Sequence, residues 1–292
     1  MKLGMFYNKP QSEYHKWDGF MSSSPLKILL NDPILFHKKY ILKTVPQEQK
    51  DCFDVGNAFH GRLLEPKIFE KEFIKFTGKI RRGKDWEEFK QKNSDKTILG
   101  NKSWLEYQIL IKSILSNKYA LQTLKGGKNE VSIYIKINDF PVKVRFDTIN
   151  GSGAGVDLKS TTGDLIGLKG KTACMVKIAE LDYDLSAALY VDAYNTFEMI
   201  LAKKQNREAK LMTDWYWIFA SKDHENARVF RATPAMLMNG RKKYMLAITA
   251  YQQHEKTGWK SDALIEKIED IDPLPSDVIH DGTVLTKGVS GW

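Results

Sequence analysis

Apolar residues recur along this chain in two periods, and the change between them separates helical from sheet-forming stretches. In the middle the period is two. Pro141-Val142-Lys143-Val144-Arg145-Phe146-Asp147 alternates apolar and polar residues as a half-buried strand does. The pattern predicts three consecutive strands over Val131–Ile137, Val142–Ile149 and Val156–Ser160. Asn150-Gly151-Ser152-Gly153-Ala154-Gly155, between the last two, supplies the glycines and asparagine that turns with positive φ need. Met212–Ala220 and Ala227–Thr233 predict two further strands.

Around this section the period is that of a helix. Ser22-Ser23-Ser24-Pro25 reads as a helix start, with a hydroxyl cap and proline in the first turn. A short helix over Leu26–Leu30 follows, and Asn31-Asp32-Pro33 restarts a second one through Phe36 and Tyr40. Phe53–Leu64 predicts a helix ending before Pro66, with Gly56 and Ala58 small and Phe59 and Leu63 on one stripe. Residues 78–102 are polar and basic and predict an irregular excursion. A helix over Trp104–Leu115 ends before the break at Lys125-Gly126-Gly127-Lys128. Residues 161–179 read as a loop or short helix, and a long helix runs from Leu181 to about Lys204. Pro234 opens a last helix through Tyr251, with Gly258 ending it, and residues 260–292 carry few signals. Helix, three strands, helix, two strands and helix describe a mixed sheet flanked by helices. Without repeats or a low-complexity linker, the expectation is one domain over 1–292, with a core of about 21–258 and a C-terminal extension.

Composition narrows the function classes. The chain has 292 residues, 42% hydrophobic and 28% charged, the values of a soluble globular protein. No apolar run approaches the ~20 residues of a membrane span. Met1–Tyr7 has no apolar signal core, so a cytoplasmic location in a bacterial host is expected. Cys52 and Cys174 are too few for a cysteine-ligated iron–sulfur cluster or a four-cysteine zinc site. The formal charge of +9 favours a polyanionic partner. Lys38-Lys39, Arg81-Arg82-Gly83-Lys84, Lys203-Lys204 and Arg241-Lys242-Lys243 are spread out, as suits a groove tracking phosphates.

The candidate chemistry lies in the second and third strands. Asp147 and Asp157-Leu158-Lys159 form the pattern D-(x9)-D-x-K. Side-chain alternation puts Asp157 and Lys159 on one face and Val156 and Leu158 on the other. Asp147 can reach that polar face from its neighbouring strand. By spacing alone the motif reads as a solvated strand face with a surface ion pair worth roughly 0–1 kcal/mol. Its alternative is a site for a divalent cation and a phosphate, since Mg²⁺ takes oxygen ligands and keeps several waters.

Other segments select the second reading. The order of elements resembles the PD-(D/E)XK nuclease fold, an α/β architecture with a central mixed sheet flanked by helices and, here, an N-terminal helical segment. Four segments are similar to one branch, the exodeoxyribonuclease VIII (RecE)-like phage nucleases, relatives of the RecB nuclease domain and lambda exonuclease. They are Met21-Ser22-Ser23-Ser24-Pro25-Leu26-Lys27 with Asp32-Pro33 and Phe36; Gly56–Pro66, similar to G-x-A-x-H-x-x-x-L-E-P; Arg81-Arg82-Gly83-Lys84-Asp85-Trp86; and Glu130-Val131-Ser132-Ile133.

The resemblance implies catalytic roles for Asp147, Asp157, Lys159 and His60. Asp147, Asp157, the Leu158 carbonyl and His60 would be metal ligands. Lys159 would orient the attacking water or stabilise the phosphorane, and the imidazole makes Mn²⁺ an alternative to Mg²⁺. Glu65 and Glu130 are secondary candidates, each with an ordinary role at hand: an ion pair near a helix end and a strand-start surface charge. Relatives carry Gln-x-x-x-Tyr in the long helix; here Tyr190 matches but Ser186 replaces the glutamine, which puts in doubt any DNA contact assigned to that amide. Tyr190 has helix packing as its alternative role. Arg81, Arg82 and Lys84 are candidate phosphate clamps with Trp86 available to stack on a base, against a solvated loop with Trp86 covering the core. The implied activity is a Mg²⁺-dependent 5′-to-3′ exonuclease on linear duplex DNA. It would leave 3′ overhangs for a RecT-type annealing protein in phage recombination and act as a homo-oligomer. The competing expectation is a DNA-end-binding accessory protein that kept the fold without catalysis.

Overall fold

The computed structural model describes residues 3–7, 9–16, 19–46, 51–78 and 80–259. The predicted extension 260–292 therefore lies outside the described residues. A short strand β1 (Gly4–Phe6) and a helical turn α1 (Gln11–Tyr14) precede α2 (Ser23–Asn31) and α3 (Pro33–Phe36), which continues as a π-helical turn over His37–Ile41. The restart after α2 follows from Asp32: its carboxylate accepts the Leu35 N–H at 2.8 Å, and Pro33 takes the first helical position. Then come α4 (Asp51–Leu64), α5 (Pro66–Glu72), β2 (Phe73–Lys75), α6 (Lys84–Lys92), β3 (Thr97–Leu99), α7 (Asn101–Leu115) and α8 (Lys118–Leu124). The strands β4 (Lys128–Ile137), β5 (Phe140–Ile149) and β6 (Gly155–Thr161) lead to α9 (Gly167–Glu180) and α10 (Tyr183–Gln205). β7 (Trp215–Ser221), β8 (Ala227–Arg231) and α11 (Pro234–Thr257) complete the described chain.

Among the described residues six strands form one sheet in the order β1-β4-β5-β6-β7-β8, antiparallel except where β6 pairs with β7. β4 and β5 are joined by a two-residue turn, Asn138-Asp139, with both residues at positive φ, as a tight hairpin of right-handed twist requires. Alternation along β7 defines the two faces. Trp215, Trp217 and Phe219 pack with Leu26 and Leu29 of α2, Leu185 and Ala188 of α10 and Tyr244 of α11. Ile218 and Ala220 pack with Val55 and Phe59 of α4 and Tyr107 and Leu110 of α7. α10 and α11 touch closely: a Cβ on Gly240 would lie 2.0 Å from the Asp184 carbonyl oxygen, so only glycine fits there.

The expected hairpin between β5 and β6 exists only at its base. Thr148 pairs with Val156 and Ile149 with Gly155; beyond them the strands separate, because β6 follows β7 in parallel register from Gly155 to Thr161. The result is a fork. Met21 fills part of it farther along β5, where its N–H donates to the Pro141 carbonyl and its own carbonyl accepts the Lys143 N–H, both at 3.0 Å. The chain then enters α2, so the start of that helix points into the gap.

Two stretches differ from expectation. Residues 78–102 contain α6 and β3, with β3 parallel to β2, in place of an irregular excursion. α6 buries no residue fully and is held through Phe76, whose ring meets Trp86 at 5.0 Å and Phe89 at 5.1 Å. Residues 161–179 contain α9, fourteen residues long, in place of a loop or short helix. It buries only Gly170, Cys174 and Ile178, spaced one turn apart. No helix among the described residues is long and apolar enough to cross a membrane.

Candidate active site

The fork brings residues from both faces of the sheet together. Val156 and Leu158 of β6 are buried beside α4 and α7, which turns Asp157 and Lys159 toward α2 and α10. His60 arrives from α4, next to the fully buried Phe59, and its Nδ1 faces Asp147 Oδ1 at 3.4 Å. The other Asp147 oxygen accepts the Leu158 N–H at 2.7 Å. A side chain thus replaces the backbone acceptor that a continuous ladder would supply. Burial pushes the Asp147 carboxyl up, but His60, Lys159 and the Leu158 N–H outweigh it and hold the group at about 2. Burial lowers His60, and the Asp147 carboxylate more than reverses that, leaving the imidazole above its ordinary 6.5.

Glu130 completes this cluster. It lies on β4 between the Asn129–Thr148 and Val131–Phe146 pairs, opposite Asp147, with its backbone in the left-handed region at φ 52°. A non-glycine residue held there inside a strand is strained, a condition that concentrates at functional sites. Its carboxylate pairs with Arg145 Nε, and both side chains are about nine-tenths buried. Burial and Asp147 raise the Glu130 carboxyl, while Arg145 and His60 oppose them. Arg145 is further fixed by Tyr14, 5.9 Å below its guanidinium, and by Glu65 at 3.9 Å. Glu65 is therefore a distant partner of Arg145.

His60, Glu130 and Asp147 each offer one ligand atom, all within 4.8 Å of one another. A cation can therefore sit within about 2.8 Å of all three atoms at once, close to the 2.0–2.6 Å of Mg²⁺ and Ca²⁺ bonds. The donor set of one imidazole and two carboxylates therefore fits a divalent cation. Leu158 can reach the cavity only through its backbone, because its side chain is 1% exposed.

Asp157 and Lys159 form the second half of the site. Lys159 Nζ donates to Asp157 Oδ1 at 2.6 Å and lies 4.6 Å from the Tyr183 ring centre. Burial raises the Asp157 carboxyl, Lys159 offsets part of this, Asp147 adds to it, and the group stands at about 6. Burial lowers Lys159, but Asp157 and Asp147 reverse that and keep the ammonium charged well above the lysine range. A second ammonium, Lys27 of α2, lies 5.0 Å from the same ring and donates to the Leu181 carbonyl at 2.7 Å. Burial, and then Lys159, bring Lys27 down to about 8.

These groups line two cavities that share His60, Asp147, Ser160 and Tyr190. One, of about 370 Å³, holds Ser23, Lys27, Asp157, Lys159, Tyr183 and Ser186. The other, of about 540 Å³, lies between α4, α5 and the N-terminal segment and holds Lys9, His15, Glu65, Lys71 and Arg145. Tyr190 both lines the cavities and packs, edge-on to Phe146 at 5.1 Å and Trp215 at 5.5 Å. Burial, with Asp157 and Asp147, pushes its hydroxyl up to about 12, so it stays protonated.

Of the predicted site residues, Asp147, Asp157, Leu158, Lys159, His60 and Tyr190 meet at this fork. Arg81, Arg82 and Lys84 do not line either cavity. Arg81 donates to the Ile98 carbonyl at 2.7 Å and stands over Trp86 at 5.6 Å, while Lys84 pairs with Glu88 at 3.7 Å. Glu130 enters the cluster that the sequence assigned to Asp147, Asp157 and His60. Lys27, Arg145 and Tyr183 were not singled out. Lys27 fell within a segment similar to the nuclease branch, but no spacing rule connects it to residues 130 positions away.

The sequence profile of a family described as "PDDEXK-like domain of unknown function (DUF3799)" matches residues 22–271. Among solved structures, the fold is similar to the crystal structure of a "Putative exonuclease" from Eubacterium rectale, with a TM-score of 0.59 and 14% identity over 92% of this chain and 97% of that one. Comparison with curated proteins gave no significant match. A forked sheet with Asp147 on one tine and Asp157-Leu158-Lys159 on the other, and a family match across most of its length, place the chain in the PDDEXK-like domain family of the PD-(D/E)XK nuclease superfamily.

Proposed function

We propose that this protein is a divalent-metal-dependent deoxyribonuclease that degrades linear duplex DNA from an end. The observation that carries the reading is the juxtaposition, across one fork, of a His60–Glu130–Asp147 ligand cluster and a charged Asp157–Lys159 pair. Asp147, His60, Asp157 and the Leu158 carbonyl hold the cation, with Glu130 as a further carboxylate. The chemistry such a cation supplies when bound is polarisation of a phosphoryl oxygen and a lowered pKa for a water.

The chain's own residues do the rest. Lys159, fixed as an ammonium by Asp157, acts as a positive charge beside the phosphate and does not serve as a base. Lys27 adds a second ammonium beside the same Tyr183 ring, and Ser23 offers a hydroxyl. Arg145 holds the Glu130 carboxylate in place. Magnesium is the expected metal and manganese a substitute, because one ligand is an imidazole.

The finer reading follows the similarity to RecE-like phage nucleases. It comprises 5′-to-3′ digestion, 3′ overhangs passed to a RecT-type annealing protein, and a homo-oligomeric enzyme. One experiment tests activity and polarity together: linear duplex DNA labelled at either the 5′ or the 3′ end, incubated with Mg²⁺ or EDTA. Early release of the 5′ label only with Mg²⁺ is expected. Equal attack on closed circles would make the enzyme an endonuclease, and no cleavage with Mg²⁺ or with added Mn²⁺ would leave a DNA-end-binding protein.

A further inference from the structure

We infer that a separate cavity, beyond the end of β5, is a stacking site for an unpaired nucleobase of the DNA strand engaged at the fork. The inference rests on the nuclease reading above. The cavity measures about 390 Å³ and is lined by Tyr7, Lys128, Asn150, Tyr194, Phe197 and Glu198. Asn150 follows Asp147 by three residues, which places it about 10 Å from the metal cluster along the strand direction.

Two parts of the chain connect this cavity to the centre. On α10, Ser186, Tyr190 and Tyr194 stand at successive turns, about 6 Å apart on one stripe. Tyr190 lines both central cavities, and Tyr194 lines this one. On the opposite side the N-terminal segment gives Met5 and Tyr7 to this cavity and, two residues on, Lys9 to the larger central one. A strand leaving the fork along this line meets aromatic rings at the spacing of a helical turn.

The polar groups decide what kind of ligand fits. Asn150 looks like a reader of base edges, but its oxygen accepts the N–H groups of Ser152 and Ala154, and its amide donates to the Thr123 carbonyl. The Glu198 carboxylate is held by Arg207 and the Lys210 N–H. What remains to meet a ligand is the aromatic side chains of Tyr7, Tyr194 and Phe197 plus the exposed Lys128 ammonium, 5.9 Å from the Tyr7 ring. Ring faces stack on any base and an ammonium contacts a phosphate, so binding would not depend on sequence.

The test uses the full chain in EDTA with a single-stranded oligodeoxynucleotide carrying 2-aminopurine, whose fluorescence falls on stacking. Binding should quench the probe. Tyr194→Ala and Tyr7→Ala should each weaken affinity about 5- to 100-fold, and Tyr194→Phe should bind like the unmodified protein. Tyr7 is 51% exposed, so its variant stays interpretable if loss of Tyr194 disturbs folding. Alanine variants that bind and quench normally would overturn the site, as would a Tyr194→Phe variant as weak as Tyr194→Ala. Mg²⁺-dependent hydrolysis by the unmodified protein is read separately. Absent hydrolysis with the quenching pattern intact would remove the nuclease reading and leave the stacking site standing.

Discussion

Acidifying a Mn²⁺ titration from pH 8 to pH 5 should weaken binding in steps set by the protons on His60 and Asp157. A ligand must release its proton before it can hold a cation. Asp147 contributes no step, since it stands at about 2 and is ionised throughout. His60 is lowered by burial and raised further by Asp147, so its proton must be displaced below a pH somewhat above 6.5. Asp157, lifted by burial to about 6 despite Lys159, adds a second proton below that value. Affinity should be flat at the alkaline end. It should then fall about tenfold per pH unit while His60 alone is protonated, or about 1.4 kcal/mol. Below about 6 the Asp157 proton competes as well, and the Glu130 carboxyl, raised by burial and Asp147, adds to it toward pH 5, so the loss should steepen to at least roughly a hundredfold per unit. Calorimetric titrations in two buffers of different ionisation enthalpy would count the protons directly. His60→Asn and Asp157→Asn should each remove one from the count at pH 5.5. A count near zero there, or an affinity unchanged between pH 8 and pH 5, would refute the assignment of both residues as ligands.

Three further outcomes follow from the geometry. Asp157→Asn and Lys159→Ala should abolish cleavage while duplex binding in a gel-shift assay stays largely intact; full cleavage by both would remove the site assignment. Arg145→Met strips the nine-tenths buried Glu130 of its ion-pair partner and should cost about 3 kcal/mol, read as a lower urea midpoint. Gly155→Ala places a Cβ 2.4 Å from Trp215 Cε3 and should destabilise by about 1–3 kcal/mol, seen in thermal melting; an unshifted melting temperature would mean that the base of the fork is looser than described.

The parts of this fold that were legible in the sequence are those where apolar and polar side chains alternate regularly between the two faces. β4, β5 and β6 show the period of two because apolar side chains in the core alternate with mostly polar ones on the opposite face, and the D-x-K motif could be placed on the correct face by counting. α9 and α6 were missed for opposite reasons. The outer face of α9 carries Leu168, Met175 and Val176, all exposed, so no apolar stripe contrasts with the three residues it buries. α6 buries nothing fully, and its stripe is only Trp86 and Phe89, one turn apart. Glu130 joins the metal cluster through cross-strand register and a left-handed backbone, and Lys27 through a helix that starts in the fork. Neither relation is a spacing along the chain. The fork itself arises from a parallel pairing with β7, more than fifty residues downstream, which local pattern cannot show.

The bond from the Leu158 amide to Asp147 gives this centre a built-in reporter. One backbone N–H, in the middle of a strand, is tied to a carboxylate rather than to a neighbouring peptide. Its nitrogen–proton resonance should therefore move when Asp147 takes up a metal or a proton, and further than those of the β6 amides directed at β7. A single assigned peak would then follow the occupancy of the centre without substrate or turnover.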